Sequence, residues 1–164
     1  PLQGLGQGAQ PILSYNYGAK NVDRVRGTFR LLLKVSVGYA VILWLCVELF
    51  PQIFVSMFTS DAALLAFSKT ALRVYMAAMF MFGIQIACQM AFTSFGKAKA
   101  SIAVAVTRKF ILLLPLIYLL PHILTGNKTN AVYMAEPIAD FLAVSFTTVL
   151  FTFQFRKVLK ELEG

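Results

Sequence analysis

Two carboxylates, Glu136 and Asp140, lie four residues apart inside an apolar stretch, with Pro137 between them. On an α-helix that spacing puts both on one face. If the helix enters hydrocarbon near Ala131, the helical rise carries Glu136 roughly 8 Å deep and Asp140 roughly 13 Å deep. A carboxylate near the bilayer centre costs about 2.5–3.5 kcal/mol on insertion scales unless it is paired, hydrated or protonated. Pro137 frees a backbone carbonyl one turn earlier and adds an oxygen acceptor beside the two acids. Oxygen-rich sites of this kind suit Na⁺ or an exchangeable proton, which makes Asp140 and Glu136 the ion-coupling candidates. The plainer role for Asp140 is a hydrogen bond to a neighbouring helix.

A second polar set lies upstream. Met81, Gln85 and Gln89 recur at every fourth position and make a soft, polar stripe on an otherwise apolar helix. Such side chains can wall a cavity for cationic or aromatic drugs, although interhelical hydrogen bonding is the commoner use of membrane glutamines. Glu48 and His122 fall at the outer ends of apolar runs, where an interfacial position explains them; proton sensing is the sharper alternative for His122. Gly4-Leu5-Gly6-Gln7-Gly8-Ala9 matches a dinucleotide fingerprint in letters only, because no strand precedes it, and close helix packing accounts for the glycines better. Asn127-Lys128-Thr129 is a glycosylation triplet that matters only on a eukaryotic secretory route. Cys46 and Cys88 have no CxxC or Cys/His spacing, and no catalytic or metal motif is present. No cofactor, no resident metal and no enzymatic activity are expected.

These residues must be held by elements that tolerate lipid. The chain is 59% hydrophobic and only 13% charged over 164 residues, a composition that excludes an ordinary soluble domain and a disulfide-rich module. Its net charge of +8 would point to nucleic acid in a polar protein, whereas here it points to lipid headgroups and no nucleic acid. About 20 helical residues cross a bilayer core of about 30 Å. That length selects residues 31–50, 74–95, 101–120 and 131–155 as transmembrane helices, since lipid leaves an open backbone no other way to be satisfied. Residues 1–17, rich in glycine, read as the end of a truncated helix, so the chain is expected to begin within a longer protein, and no cleavable signal peptide is expected. Asp61 to Arg73 reads as an extracellular extension of the second span, with Asp61 as its cap and Lys69 and Arg73 on one face. Pro115 and the glycine-rich start are the expected bending points.

The cations give an orientation. Lys20, Arg24, Arg26, Arg30 and Lys34 precede the first span; Lys97, Lys99, Arg108 and Lys109 surround the turn between the second and third; Arg156, Lys157 and Lys160 follow the fourth. Only Lys69, Arg73 and Lys128 remain for the outer connections. By the positive-inside rule the C-terminus is expected in the cytoplasm.

Four stretches carry a family resemblance: Gly6–Arg26 (GQGAQPILSYNYGAKNVDRVR), Phe50–Asp61 (FPQIFVSMFTSD), Ser94–Pro121 and Ala135–Thr147 (AEPIADFLAVSFT). Together they resemble the C-terminal half of multidrug and toxic compound extrusion (MATE) transporters, in particular the bacterial DNA-damage-inducible (DinF-like) branch. The resemblance implies an all-α polytopic membrane protein, part of a twelve-helix transporter of two six-helix lobes, with this chain running from the eighth helix to the twelfth. It also implies exchange of small organic cations or drugs for Na⁺ or H⁺ by alternating access, in a bacterial inner membrane, with the N-terminal lobe as partner. Some branches place an ion-binding carboxylate on the helix matching 74–95, yet that stretch has only Gln85 and Gln89, so coupling would fall to the other lobe or to Asp140. Two rivals remain: a lipid-linked oligosaccharide flippase, which needs cations facing its cavity, and a non-transporting membrane scaffold.

Overall fold

The computed structural model describes residues 1–123 and 128–163, the side chains of 128–131 aside. Its described residues form helices α1 (Leu2–Gly18), α2 (Val22–Leu49), α3 (Pro51–Ser56), α4 (Ala62–Met76), α5 (Phe82–Ser94), α6 (Ala98–Val106), α7 (Leu114–Ile123) and α8 (Lys128–Glu163). A 3₁₀ turn, Met79–Met81, links α4 to α5, and a π-helical stretch, Thr107–Leu113, links α6 to α7. Four helical, apolar stretches are long enough to cross a membrane: Val22–Leu49, Ala62–Ser94, Ala98–Ile123 and Val132–Glu163.

Local chemistry explains the boundaries. Asn21 caps α2 by accepting from the Arg24 N–H, and Asp61 caps α4 by accepting from the Leu64 N–H at 2.9 Å. Pro51 opens α3, where its missing N–H costs nothing. Lys69 donates to Gln52, while Arg73 donates through two nitrogens to the Glu48 carbonyl, satisfying one of the open acceptors at the end of α2. Pro115 follows the π-helical stretch; proline cannot donate to the preceding turn, and one wider turn accommodates its ring.

α1, α2 and α5 pack on one another, and α8 packs on α4, α5, α7 and the π-helical stretch. The main core sits at one end. It joins Leu13, Phe29, Phe92, Phe95, Phe151 and Val158, with the Phe29 and Phe151 rings stacked at 4.6 Å between centroids. At this same end Arg26 approaches Glu163 at 3.8 Å and Lys97 approaches Glu161 at 3.9 Å, so the two basic turns and the end of α8 lie together. The sharp exit from α5 runs through Gly96 at φ +67°, a backbone state that favours glycine.

Large apolar side chains face outward along the whole bundle: Leu31, Ile42, Phe110 and Phe153 are each at least 65% exposed. So many open apolar side chains suit a surface that meets lipid or another part of a larger protein. Only 6% of the most apolar window of the third span is buried, so that span has most of its surface available.

The second expected span, 74–95, is the latter part of a longer, broken one. The α-helical ladder gives way between Met76 and Phe82, where the Ala77 and Met81 N–H groups bond three residues back. Trp44 of α2 packs on Phe80 of the turn, with centroids 5.3 Å apart. The glycine-rich start forms α1 with no strand before it among the described residues, and Gly6 packs directly beneath the Met90 side chain. Asn127 of the glycosylation triplet lies outside the described residues.

Candidate functional site

Arg108 does not belong to the basic turn with which its neighbours in sequence associate it. It lies ten residues beyond Ala98, roughly 15 Å along the helix, on the first turn of the π-helical stretch. Its Nε donates to Asp140 Oδ1 at 2.5 Å and its Nη2 to Glu136 Oε1 at 3.2 Å. The three side chains are 15%, 10% and 15% exposed for Arg108, Asp140 and Glu136, so this is a largely buried ion-pair cluster. The guanidinium also sits 4.9 Å above the Phe82 ring, a cation–π contact in a setting with little water to weaken it.

Each element contributes for a local reason. The i, i+4 spacing on α8 turns both acids toward the same neighbour. The π-helical stretch widens the turn from which Arg108 projects, and such stretches recur at functional sites. Phe82 begins α5 just after the 3₁₀ turn, and that placement brings its ring under the guanidinium. The oxygen pair that sequence spacing assigns to a bound cation is therefore already engaged by a protein cation. The charges of the cluster sum to −1 when all three groups are ionised.

Two cavities meet at Arg108. One, of about 170 Å³, is lined by Tyr75, Met76, Met79, Phe82, Arg108, Glu136 and Asp140. The other, of about 290 Å³, is lined by Gln3, Phe82, Gln85, Ile86, Gln89, Ala105, Arg108 and Lys109. Phe82 and Arg108 form the partition between an acidic chamber and one lined with amides. Gln85 and Gln89 thus share a chamber. Met81 does not join them, because it belongs to the 3₁₀ turn, where the four-residue helical repeat is broken. The side-chain oxygen of Gln85 is buried without a hydrogen-bond partner, and the residue is 5% exposed.

His122 is exposed, with Nδ1 2.7 Å from the Tyr118 carbonyl. Glu48 contributes its backbone carbonyl rather than its carboxylate. Cys46 and Cys88 are unpaired, one exposed and one buried. Among the described residues no group of three or more His, Cys, Asp or Glu is placed to hold a metal ion.

Sequence reasoning missed Arg108 and Lys109 as site residues although a signal was present. Both lie inside the apolar stretch 101–120, too far from the Gly96 turn to be loop cations. A cation that deep is costly unless it is paired, and Glu136 and Asp140 are the acids in reach of Arg108.

Residues 1–119 match the MatE family. A comparison with curated proteins finds no match. Among solved structures, the chain is similar to the MATE multidrug transporter DinF-BH in complex with R6G, at 34% identity and a TM-score of 0.87 over 97% of this chain and 35% of that one. It also shares the fold of a multidrug resistance MATE family transporter of the MOP superfamily in its inward-facing conformation, at 16% identity, TM-score 0.88, over 98% of this chain and 37% of that one. The outward-facing conformation fits as well, at 16% identity and TM-score 0.87 over 98% of this chain and 36% of the other. The chain spans about a third of the length of the solved transporters it matches. With four helical stretches long and apolar enough to cross a membrane and a family match over most of its length, the chain is a membrane protein that belongs to the MatE family of multidrug transporters and stands with its DinF-like branch.

Proposed function

We propose that this chain is part of a cation-coupled multidrug efflux antiporter of a bacterial inner membrane, with the basic turns and the C-terminus in the cytoplasm, and that it exports small organic cations in exchange for Na⁺ or H⁺. The observation that carries this reading is the Arg108–Glu136–Asp140 cluster, buried between two cavities. A cluster of net charge −1 in a low-dielectric setting gains from one further positive charge, and a proton or Na⁺ entering the acidic chamber supplies it. Neutralising Asp140 weakens its hold on the Arg108 Nε and loosens α8 from the π-helical stretch. Drug in the neighbouring chamber meets the other side of the same partition. Ion and drug then favour different arrangements of one element, which is the thermodynamic requirement for exchange. That the fold matches relatives facing inward and outward about equally well supports a lobe that keeps its shape while the carrier switches.

The test expresses the full carrier in an efflux-deficient bacterium and follows dye accumulation with and without Na⁺ and proton gradients. Asp140→Asn is expected to abolish the ion dependence of export. Accumulation indistinguishable from vector in the wild type would remove drug export, and full export with unchanged ion dependence in the variant would remove Asp140 from coupling.

One observation favours a second reading. Lys109 lines the amide chamber, and a flippase for lipid-linked oligosaccharides needs cations there. It ranks second because Arg108 is already engaged by two acids, leaving one ammonium for a multiply charged head. Flipping of such a lipid in reconstituted vesicles, without dye export, would reverse the order.

A further inference from the structure

The amide chamber has a polarity of its own. Its cationic groups are Lys109 and Arg108, on consecutive residues of the π-helical stretch, and Arg108 turns its charge toward Glu136 and Asp140. Lys109 is exposed, and among the described residues no carboxylate lies within ion-pair distance of it. Glu136 and Asp140 do not line this chamber, so Lys109 is the unpaired charge at its wall. Gln3, Gln85 and Gln89 add three amides from α1 and α5, and the side-chain oxygen of Gln85 is buried without a partner. Amide oxygen and nitrogen exchange places by a half-turn of the terminal group, so each glutamine can donate as well as accept. Phe82 and Ile86 supply the apolar wall.

We infer that this chamber is a subsite for a carboxylate or similar single anionic group of an organic ligand, held by the Lys109 ammonium and by the Gln85 and Gln89 amides. The ligand class is then amphoteric: an aromatic molecule that carries an acidic group here and its amine elsewhere in the carrier. An unpaired ammonium within a membrane-spanning stretch is costly. A ligand anion relieves that cost, and a permanently cationic ligand without an acid group does not. This rests on the export reading above and adds a preference within it. With its terminal group turned by a half-rotation, Gln85 presents its N–H to that anion.

The experiment uses the full carrier, purified in detergent, and two probes that differ by one group: a cationic xanthene dye as its ethyl ester, and the same dye as its free carboxylic acid. Fluorescence anisotropy gives a dissociation constant for each. The wild type should bind the free acid more tightly than the ester. Lys109→Met removes a charge-assisted hydrogen bond and should weaken free-acid binding by about tenfold or more while moving ester binding less than about twofold. Unaltered ester binding shows that the variant is folded. Lys109→Arg should keep the preference, and Lys109→Glu should reverse it. Equal affinities for the two dyes in the wild type, or equal losses of both in Lys109→Met, would overturn the subsite while leaving export in place. A wild-type carrier that binds neither dye overturns the export reading and the subsite together.

Discussion

At the scale of single residues, Arg108 has the most to lose. A buried ion pair adds little compared with apolar side chains of equal shape, but removing one partner strands the other at a cost of about 3–5 kcal/mol. Arg108→Ala leaves two neighbouring, largely buried carboxylates without their cation. A destabilisation near the lower end of that range is expected, since each side chain keeps some exposure, and thermal unfolding of the detergent-solubilised carrier would measure it. Pairing Arg108→Met with Glu136→Gln and Asp140→Asn should restore most of the loss. A loss below about 0.5 kcal/mol in Arg108→Ala would mean that the pair behaves like an exposed one. The two acids could be read from the chain because a charge in an apolar run stands out wherever it falls. The cation could not be assigned as easily: Arg108 and Lys109 follow a basic turn, and a count of loop cations absorbs them into it.

At the scale of elements, a close backbone approach at Gly83 constrains how α2 and α5 cross. A Cβ added at Gly83 would meet the backbone of Ser36 and Val37, which cannot step aside as a side chain can. Gly83→Ala is expected to force the helices apart and cost about 1–3 kcal/mol, as overpacking does elsewhere. The same substitution at Gly38, where nothing lies within 4 Å, is the internal control and should leave the unfolding temperature nearly unchanged. If both variants melt alike, the crossing is looser than its geometry. The break ahead of α5 lies just before that crossing. Met81, Gln85 and Gln89 are evenly spaced in sequence, and a continuous helix would align them. Packing of the 3₁₀ turn on α2 through Phe80 and Trp44 replaces that register before Phe82, so only the glutamines reach the chamber. No proline marks the break, and the periodicity of residues 74–95 runs straight through it.

At the scale of the whole molecule, alternation of the spans places Lys97, Lys99, Lys157 and Lys160 at one end of the bundle and Lys69 at the other. Single cysteines introduced at Lys99 and Lys160 should react with an impermeant maleimide from the cytoplasmic side of oriented vesicles, and one at Lys69 from the opposite side. Labelling of Lys99 and Lys160 positions from opposite sides would contradict the arrangement of the four spans.

Hydropathy accumulates residue by residue, so the number of membrane crossings, their order and the end at which cations gather are written along the chain and need no partner to be read. Caps such as Asp61 are equally local, because the side chain and the N–H it accepts from are three residues apart. Which buried charges meet is of another kind. It depends on the rotation of two helices about their own axes, and one π-helical turn ahead of Pro115 shifts that rotation for everything before it. Arg108 and Asp140 are 32 positions apart. Only the packing of α8 against that turn makes them neighbours, and with them the partition between an acidic chamber and one lined with amides.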